Sequence, residues 1–343
     1  MGTRCPTAVR SRTGAPGLLA ALFALCAFCG VSLAEVEAPV VPSAERSEVD
    51  YEPLRAAVAR VITTPRLPPC VLPANAVLLS YTNAEMFPLL QLQRRALEVG
   101  GVRSCLQRRF LTVCLDAECH QLCTRFHVPN CVDLGIQTVA SDFLKADYLW
   151  ITYIKHEIME AGLQGGAEEV FFFDTDVVLF GDPWAVKLQD STGDFDLRYQ
   201  VGNNAASKGQ CSRGVNGGQI YLRRTNTTLA YLAAMRGFRA QILATKEGGT
   251  LDQGYMALAA EKVGLKRCGL DATAFLGRCN GCYDAASGAP HVSAVVGMHV
   301  DCTTGTEQKT QILTKFVAVR TAVAALETHG IAAPVTIKQA LIC

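Results

Sequence analysis

The chain has 343 residues, half of them hydrophobic, with 32 Lys+Arg against 31 Asp+Glu and a formal net charge of +1. That length and apolar content are enough for one large domain or two small ones with a buried core, which excludes general disorder. The balanced charge leaves no basic footprint, which excludes nucleic acid as a partner recognised by charge.

Arg4, Arg10 and Arg12 precede an uncharged run over residues 17–34 (GLLAALFALCAFCGVSLA), and Glu35 follows it. A basic start, an apolar middle and small residues Ser32 and Ala34 at its end are the layout of a secretory signal. The same run approaches the ~17–20 residues that span a bilayer, so it reads equally as an anchor with its positive end in the cytosol. Residues 1–34 are therefore expected to be a signal peptide or signal anchor, with the chain after them lumenal or extracellular. Of the 15 cysteines, Cys5, Cys26 and Cys29 lie in this segment and leave an even number for disulfides in an oxidising compartment. Cys114, Cys119, His120 and Cys123, and separately Cys279 with Cys282, also have the residue types of a metal site, although a lumenal address favours disulfides over zinc. Asn226-Thr227-Thr228 is an N-glycosylation sequon.

Residues 35–74 hold seven prolines among small and charged residues and read as a stem or linker with at most one helix, near 54–61. The folded unit is expected over 75–343. It opens with a short apolar strand at 76–80, a helix over 84–99 stopped by Gly100-Gly101, and a second strand at 110–115 ending at Asp116. A helix over 144–161 leads into a strand at 170–173 that stops at Asp174. Further strands are expected at 195–200, 218–222 and 292–298, and helices at 227–243, 252–263 and 307–326. Apolar strands separated by helices imply an α/β sheet, mostly parallel and covered on both faces. Ligands bind beyond the carboxyl ends of such strands, which directs attention to Asp116, Asp174 and Asp176.

The sharpest segment is Phe171-Phe172-Phe173-Asp174-Thr175-Asp176, followed by Asp182-Pro183. In an extended backbone, carboxylates at i and i+2 point to the same side. At the mouth of a buried strand they repel each other, and a divalent cation relieves that repulsion. Asp194-Phe195-Asp196 has no apolar strand feeding it and reads as a structural turn, as Asp182-Pro183 also does.

With its surroundings, this segment resembles the nucleotide-diphospho-sugar transferase family of Golgi glycosyltransferases, whose plant members include arabinosyl- and xylosyltransferases. The resemblance covers roughly residues 76–316. It rests on Asn83, Asp116 with Cys123, Lys155, Asp174-Thr175-Asp176 with Asp182-Pro183, Asn216-Gly217-Gly218 leading into Tyr221-Leu222-Arg223, Asp252-Gln253, and finally His299 with Lys309. It implies a Rossmann-like glycosyltransferase A-type fold. The implied activity is metal-dependent, retaining transfer of a pentosyl or hexosyl group from a nucleotide-diphosphate sugar to a glycan or glycoprotein. Asp176 and His299 would hold Mn²⁺ or Mg²⁺, the histidine nitrogen suiting Mn²⁺ better, and Asp174 would reach the same metal or the ribose hydroxyls. Lys155 and Lys309 would neutralise phosphate or hold donor hydroxyls, while Asn216, Asp252 and Gln253 would contact sugar. The implied address is the Golgi lumen as a type II membrane protein, or secretion if the N-terminal segment is cleaved. The family often has Asn where this chain has Asp301. Taken by themselves, Asp252 also reads as a helix cap, Lys155 as a solvated helix residue and His299 as a core histidine. Two rival functions share the same residues. One is a haloacid-dehalogenase-type phosphatase with Asp174 as nucleophile and Asp176 as acid/base, and the other is a secreted glycan-binding protein without turnover.

Overall fold

The computed structural model describes residues 49–65, 71–136, 146–186, 195–202, 214–244, 251–278, 291–301, 303 and 305–336. The signal or anchor segment, residues 35–48 of the linker, Asp194 and the Cys279/Cys282 pair lie outside them. The first half of the fold runs α1 (Glu52–Thr63), β1 (Ala76–Thr82), α2 (Phe87–Val99), the single turn α3 (Arg103–Leu106), β2 (Phe110–Cys114), α4 (Ala117–Arg125), β3 (Cys131–Asp133), α5 (Ala146–Gln164) and β4 (Glu169–Phe173). It continues through β5 (Val177–Leu179), β6 (Leu197–Val201), β7 (Val215–Arg223), α6 (Asn226–Gly237), α7 (Arg239–Leu243), α8 (Asp252–Val263), β8 (Arg267–Gly269), β9 (Phe275–Gly277), β10 (Gly297–His299) and α9 (Thr306–Thr328).

The main sheet has seven strands in the order β3-β2-β1-β4-β7-β6-β8. β3, β2, β1 and β4 run parallel, β7 is antiparallel to both β4 and β6, and β8 is parallel to β6. Side chains alternate across β4. Val170 and Phe172 enter the core with Leu54 of α1, Ile154 of α5, Tyr231 of α6 and Met256 of α8. Phe171 and Phe173 enter the opposite core with Leu90 of α2 and Cys119 of α4. Both faces are thus covered, and the expected mixed, mostly parallel α/β arrangement is present. A second sheet, in the order β5-β10-β9, packs with α2 and α9 around Val178, Met298, Leu313 and Phe316.

The structure adds short elements that the sequence reading did not expect, among them β3, β5, β8, β9 and α4, and it refines several others. The apolar run 292–298 is a 3₁₀ turn at Val292–Ala294 with a strand only at Gly297–His299, because Val292, Val295 and Met298 are buried at a spacing of three rather than two. The helix expected over 227–243 is split into two at Phe238. Cys114 pairs with Cys119 and Cys123 with Cys131, so the preference for disulfides over a zinc site holds for these four cysteines, and the bonds tie β2, α4 and β3 together. Helix α1, which falls in the segment read as linker, buries Leu54, Ala57, Val58 and Val61 in the main core. Among the described residues, no helix is long and apolar enough to cross a membrane.

Candidate functional site

The Phe-rich strand β4 ends at Phe173, and the next three residues turn rather than extend, with Val177 N–H donating to the Asp174 carbonyl at 3.0 Å. The two acids therefore converge for a different reason from an extended i, i+2 spacing. Asp174 N–H donates to Gly218 O at 2.9 Å and closes the β4–β7 ladder, while Asp176 O accepts from Val300 N–H at 3.1 Å and extends the β5–β10 ladder. Each acid terminates a different sheet. Gln93 on α2 donates to the carbonyls of Asp174 (3.1 Å) and Thr175 (3.0 Å), and the Thr175 hydroxyl donates to Tyr81 O, which pins the turn. Antiparallel pairing sets His299 opposite Val177, beside Asp176. One ligand atom from each of Asp174, Asp176 and His299 then lies within 4.8 Å of the others.

Cations surround these carboxylates. His299 Nε2 is 3.2 Å from Asp176 Oδ1, and Lys309 on α9 donates to Asp176 Oδ2 at 2.5 Å. Burial by itself would raise the Asp176 carboxyl, but Lys309 and His299 hold it well below the usual carboxylate range. In the same way, burial works against the His299 imidazolium and the Lys309 ammonium, and Asp176 carries both above their ordinary values. Lys155 is 2% exposed, 3.1 and 3.2 Å from the two Asp174 oxygens, and donates to Gly217 O at 3.2 Å. Its Nζ also lies 3.7 Å from Asp252 Oδ2. Burial opposes its charge, and Asp174 and Asp252 more than compensate. Lys155 is thus no solvated helix residue: the stretch of α5 around it is buried nearly all round, so even its polar positions turn inward.

Asp252 is not the cap of α8, whose N-cap is Leu251 without a side-chain bond. Its carboxylate faces Lys155 and stands 3.4 Å from His156 Nε2; burial pushes it up, but those two neighbours hold it below its ordinary value. Gly217 and Gly218 floor the site. A Cβ on Gly218 would come 2.3 Å from the His299 ring, and one on Gly217 would come 3.1 Å from Lys155 Nζ.

Of the residues expected at the site, Asp174, Asp176, His299, Lys155, Lys309 and Asp252 form one connected cluster. Gln253 stands beside Gly217. Asn216 turns its amide to Asp301 (3.2 Å) and accepts from Gly218 N–H at 2.8 Å. Asp116 is not part of the cluster: it caps α4 through Cys119 N–H and accepts from Ala84 N–H. Asp182 caps the 3₁₀ turn at Trp184, and Asp196 pairs with Arg223, as the structural reading of both holds. Sequence reasoning missed Tyr81, whose hydroxyl donates to Asp174 Oδ1 at 3.2 Å, and also Gln93, His156 and Gln200. Tyr81 lies in β1 just past Ser80, where the apolar run stops two residues short of the strand's end. The other three lie inside helices or strands, where nothing local marks them.

A buried and a half-buried carboxylate and a buried imidazole within 4.8 Å of one another, beside a glycine whose Cβ would collide with that imidazole, are a donor set that fits a divalent cation.

A family described as nucleotide-diphospho-sugar transferase matches residues 105–313, more than half of the chain, including the whole Asp174–Asp176 turn. Among solved structures, the chain is similar to the apo-form glycosyltransferase GlyE of Streptococcus pneumoniae TIGR4, at 12% identity over 76% of this chain and 64% of that one, with a TM-score of 0.42. It thus spans less than two thirds of the pneumococcal protein. A glycosyltransferase involved in the glycosylation of the major capsid of PBCV-1 is 10% identical over 70% of this chain and 98% of its own, with a TM-score of 0.42. Mouse xyloside xylosyltransferase 1 is 14% identical over 67% and 99%, with a TM-score of 0.37. No curated protein is significantly similar in sequence.

Proposed function

The chain belongs to the nucleotide-diphospho-sugar transferase family, a nucleotide-sugar-dependent glycosyltransferase, and from that premise we propose its finer chemistry. Asp174, Asp176 and His299 hold Mn²⁺, with Mg²⁺ the less suited alternative. The observation that carries this is their convergence within 4.8 Å at the mouth of the central strands. When bound, such an ion supplies a Lewis acid for the diphosphate leaving group, whose negative charge grows as the glycosidic bond breaks.

The remaining work falls to side chains. Lys309, partly exposed at the rim, presents its ammonium to the diphosphate. Lys155 holds Asp174 and Asp252 in one charged array, and His156 supports Asp252 from behind. Asp252 and Gln253, next to Gly217, contact the donor sugar, and Asn216 shapes the Gly217-Gly218 floor beneath it. The sugar, a pentose or hexose, passes with retention of configuration to a glycan or glycoprotein. The proposed address is the Golgi lumen, with residues 1–34 as a type II anchor, or secretion after their cleavage.

A panel of UDP-sugars with Mn²⁺ tests this on the full-length protein: UDP is expected to be released from at least one donor. Release from none, with phosphate released from p-nitrophenyl phosphate, would assign the site to phosphatase chemistry. Asp176→Asn is expected to abolish both turnover and Mn²⁺ binding with the fold intact by circular dichroism. Full activity of that variant would overturn the metal assignment.

A further inference from the structure

Behind His299, on the side away from Asp176, lies a buried polar array drawn from the seam between the two sheets. It comprises Gln200 at the end of β6, Gln219 in β7, and Asp301 just past β10. Both glutamines are fully buried. We infer that Gln200, oriented by Asp301 and Gln219, is a positioning residue that keeps a proton on His299 Nδ1 and directs the Nε2 lone pair toward Asp174 and Asp176. The inference rests on the proposed role of His299 as a ligand.

The chemistry of the partners assigns the direction of each hydrogen bond. Shape alone does not separate the oxygen and nitrogen of a glutamine amide, but a carboxylate accepts only. Asp301 Oδ2 stands 3.4 Å from Gln200 Nε2 and 3.2 Å from Asn216 Nδ2, so both amides turn their nitrogens toward it. The Gln200 oxygen then faces the other way, where it accepts from Gln219 Nε2 at 3.0 Å and lies 3.0 Å from His299 Nδ1. A carbonyl oxygen has no proton to give, so Nδ1 donates to it; Nε2 faces the Asp176 carboxylate and is the nitrogen whose proton gives way to a cation. Reversing Gln200 would set its oxygen against the carboxylate and its NH₂ against that of Gln219, losing both contacts.

The backbone is shaped around this array. A Cβ on Gly277 would come 2.4 Å from Gln200 Nε2 and 2.5 Å from Asp301 Oδ2, and one on Gly297 would come 2.1 Å from Gln219 Oε1. The β6–β7 register shifts between Tyr199 and Gln200, an irregularity that re-aims the Gln200 side chain. An asparagine at 301 would offer either an oxygen or a nitrogen to Gln200, whereas aspartate leaves one orientation.

Two measurements on the full-length protein test this. In metal-free protein, imidazole ¹⁵N shifts followed as the pH rises are expected to show the ring, at first protonated on both nitrogens, losing the Nε2 proton that faces Asp176 and keeping the Nδ1 proton that faces Gln200; loss from Nδ1 instead overturns the inference, whatever the metal does. Gln200→Leu is expected to weaken Mn²⁺ binding, followed by electron paramagnetic resonance, by about 10–100-fold in a protein that melts at a lower temperature but still cooperatively, and an unchanged affinity refutes the role. Gln200→Glu, which sets a second carboxylate against Asp301, is expected to weaken binding. Combining it with Asp301→Asn restores an acceptor for Nδ1 and is expected to recover the affinity. A double variant as weak as the single one would reduce Gln200 to packing, and this pair carries the test should Gln200→Leu fail to fold. If the unaltered protein binds no Mn²⁺, the ligand role of His299 falls while the ¹⁵N measurement still decides the orientation.

Discussion

Asp176 has a cation on each oxygen, His299 on one and Lys309 on the other, and is almost fully buried. Two cations on one carboxylate keep it ionised where burial alone would protonate it. The cost falls on ion entry, because a cation ligated by His299 Nε2 must displace the proton that Asp176 stabilises there. Since the His299 pKa is raised, that proton persists to higher pH than on an ordinary imidazole. Mn²⁺ affinity is therefore expected to be weakest below the raised pKa, to climb by up to about tenfold per pH unit toward it, and to level off above it. Calorimetric titration with Mn²⁺ between about pH 6 and about pH 8 measures this. A flat profile would remove His299 from the ligand set.

Helix ends show where local preference governs and where the site overrides it. Thr225 caps α6 by accepting from Thr228 N–H at 3.0 Å, and the Thr228 hydroxyl donates to Arg223 O at 2.6 Å. Removing the cap with Thr225→Ala is expected to lower stability by about 1 kcal/mol in urea denaturation, with donor binding unchanged. Helix α8 has no such cap, because its first acid, Asp252, turns to Lys155 and His156 instead. A good capping residue has been diverted to charge balance in the cluster. β4 shows the complementary case, in which three consecutive phenylalanines serve two cores by alternation alone.

The seven-stranded sheet needs α1 as well as the helices that follow the strands. Leu54 is fully buried in the same core as Phe172 and Ile158, so Leu54→Ala is expected to destabilise the whole unit by about 2–5 kcal/mol, read from the chemical denaturation midpoint. A loss below about 0.5 kcal/mol, the range of ordinary surface changes, would make α1 an appendage. The smaller sheet depends on α9, whose Leu313 and Phe316 pack on Val178 and Met298 while Lys309 from the same helix reaches Asp176. Packing of that helix and charge at the site are therefore coupled.

Strands at 76–80, 110–115 and 170–173, the α8 boundaries, and the acids closing the phenylalanine run were readable from the chain, because apolar runs, helical spacing, glycine stops and motif order are local properties. The partners of those acids were not. That β7 inserts antiparallel beside β4, that Val177 pairs with His299, that Lys155 points into the protein rather than out, and that Cys114 joins Cys119 all depend on which distant segments meet. Strand direction, register and side-chain burial arise from contacts between residues far apart along the chain, and periodicity within one segment carries no record of them.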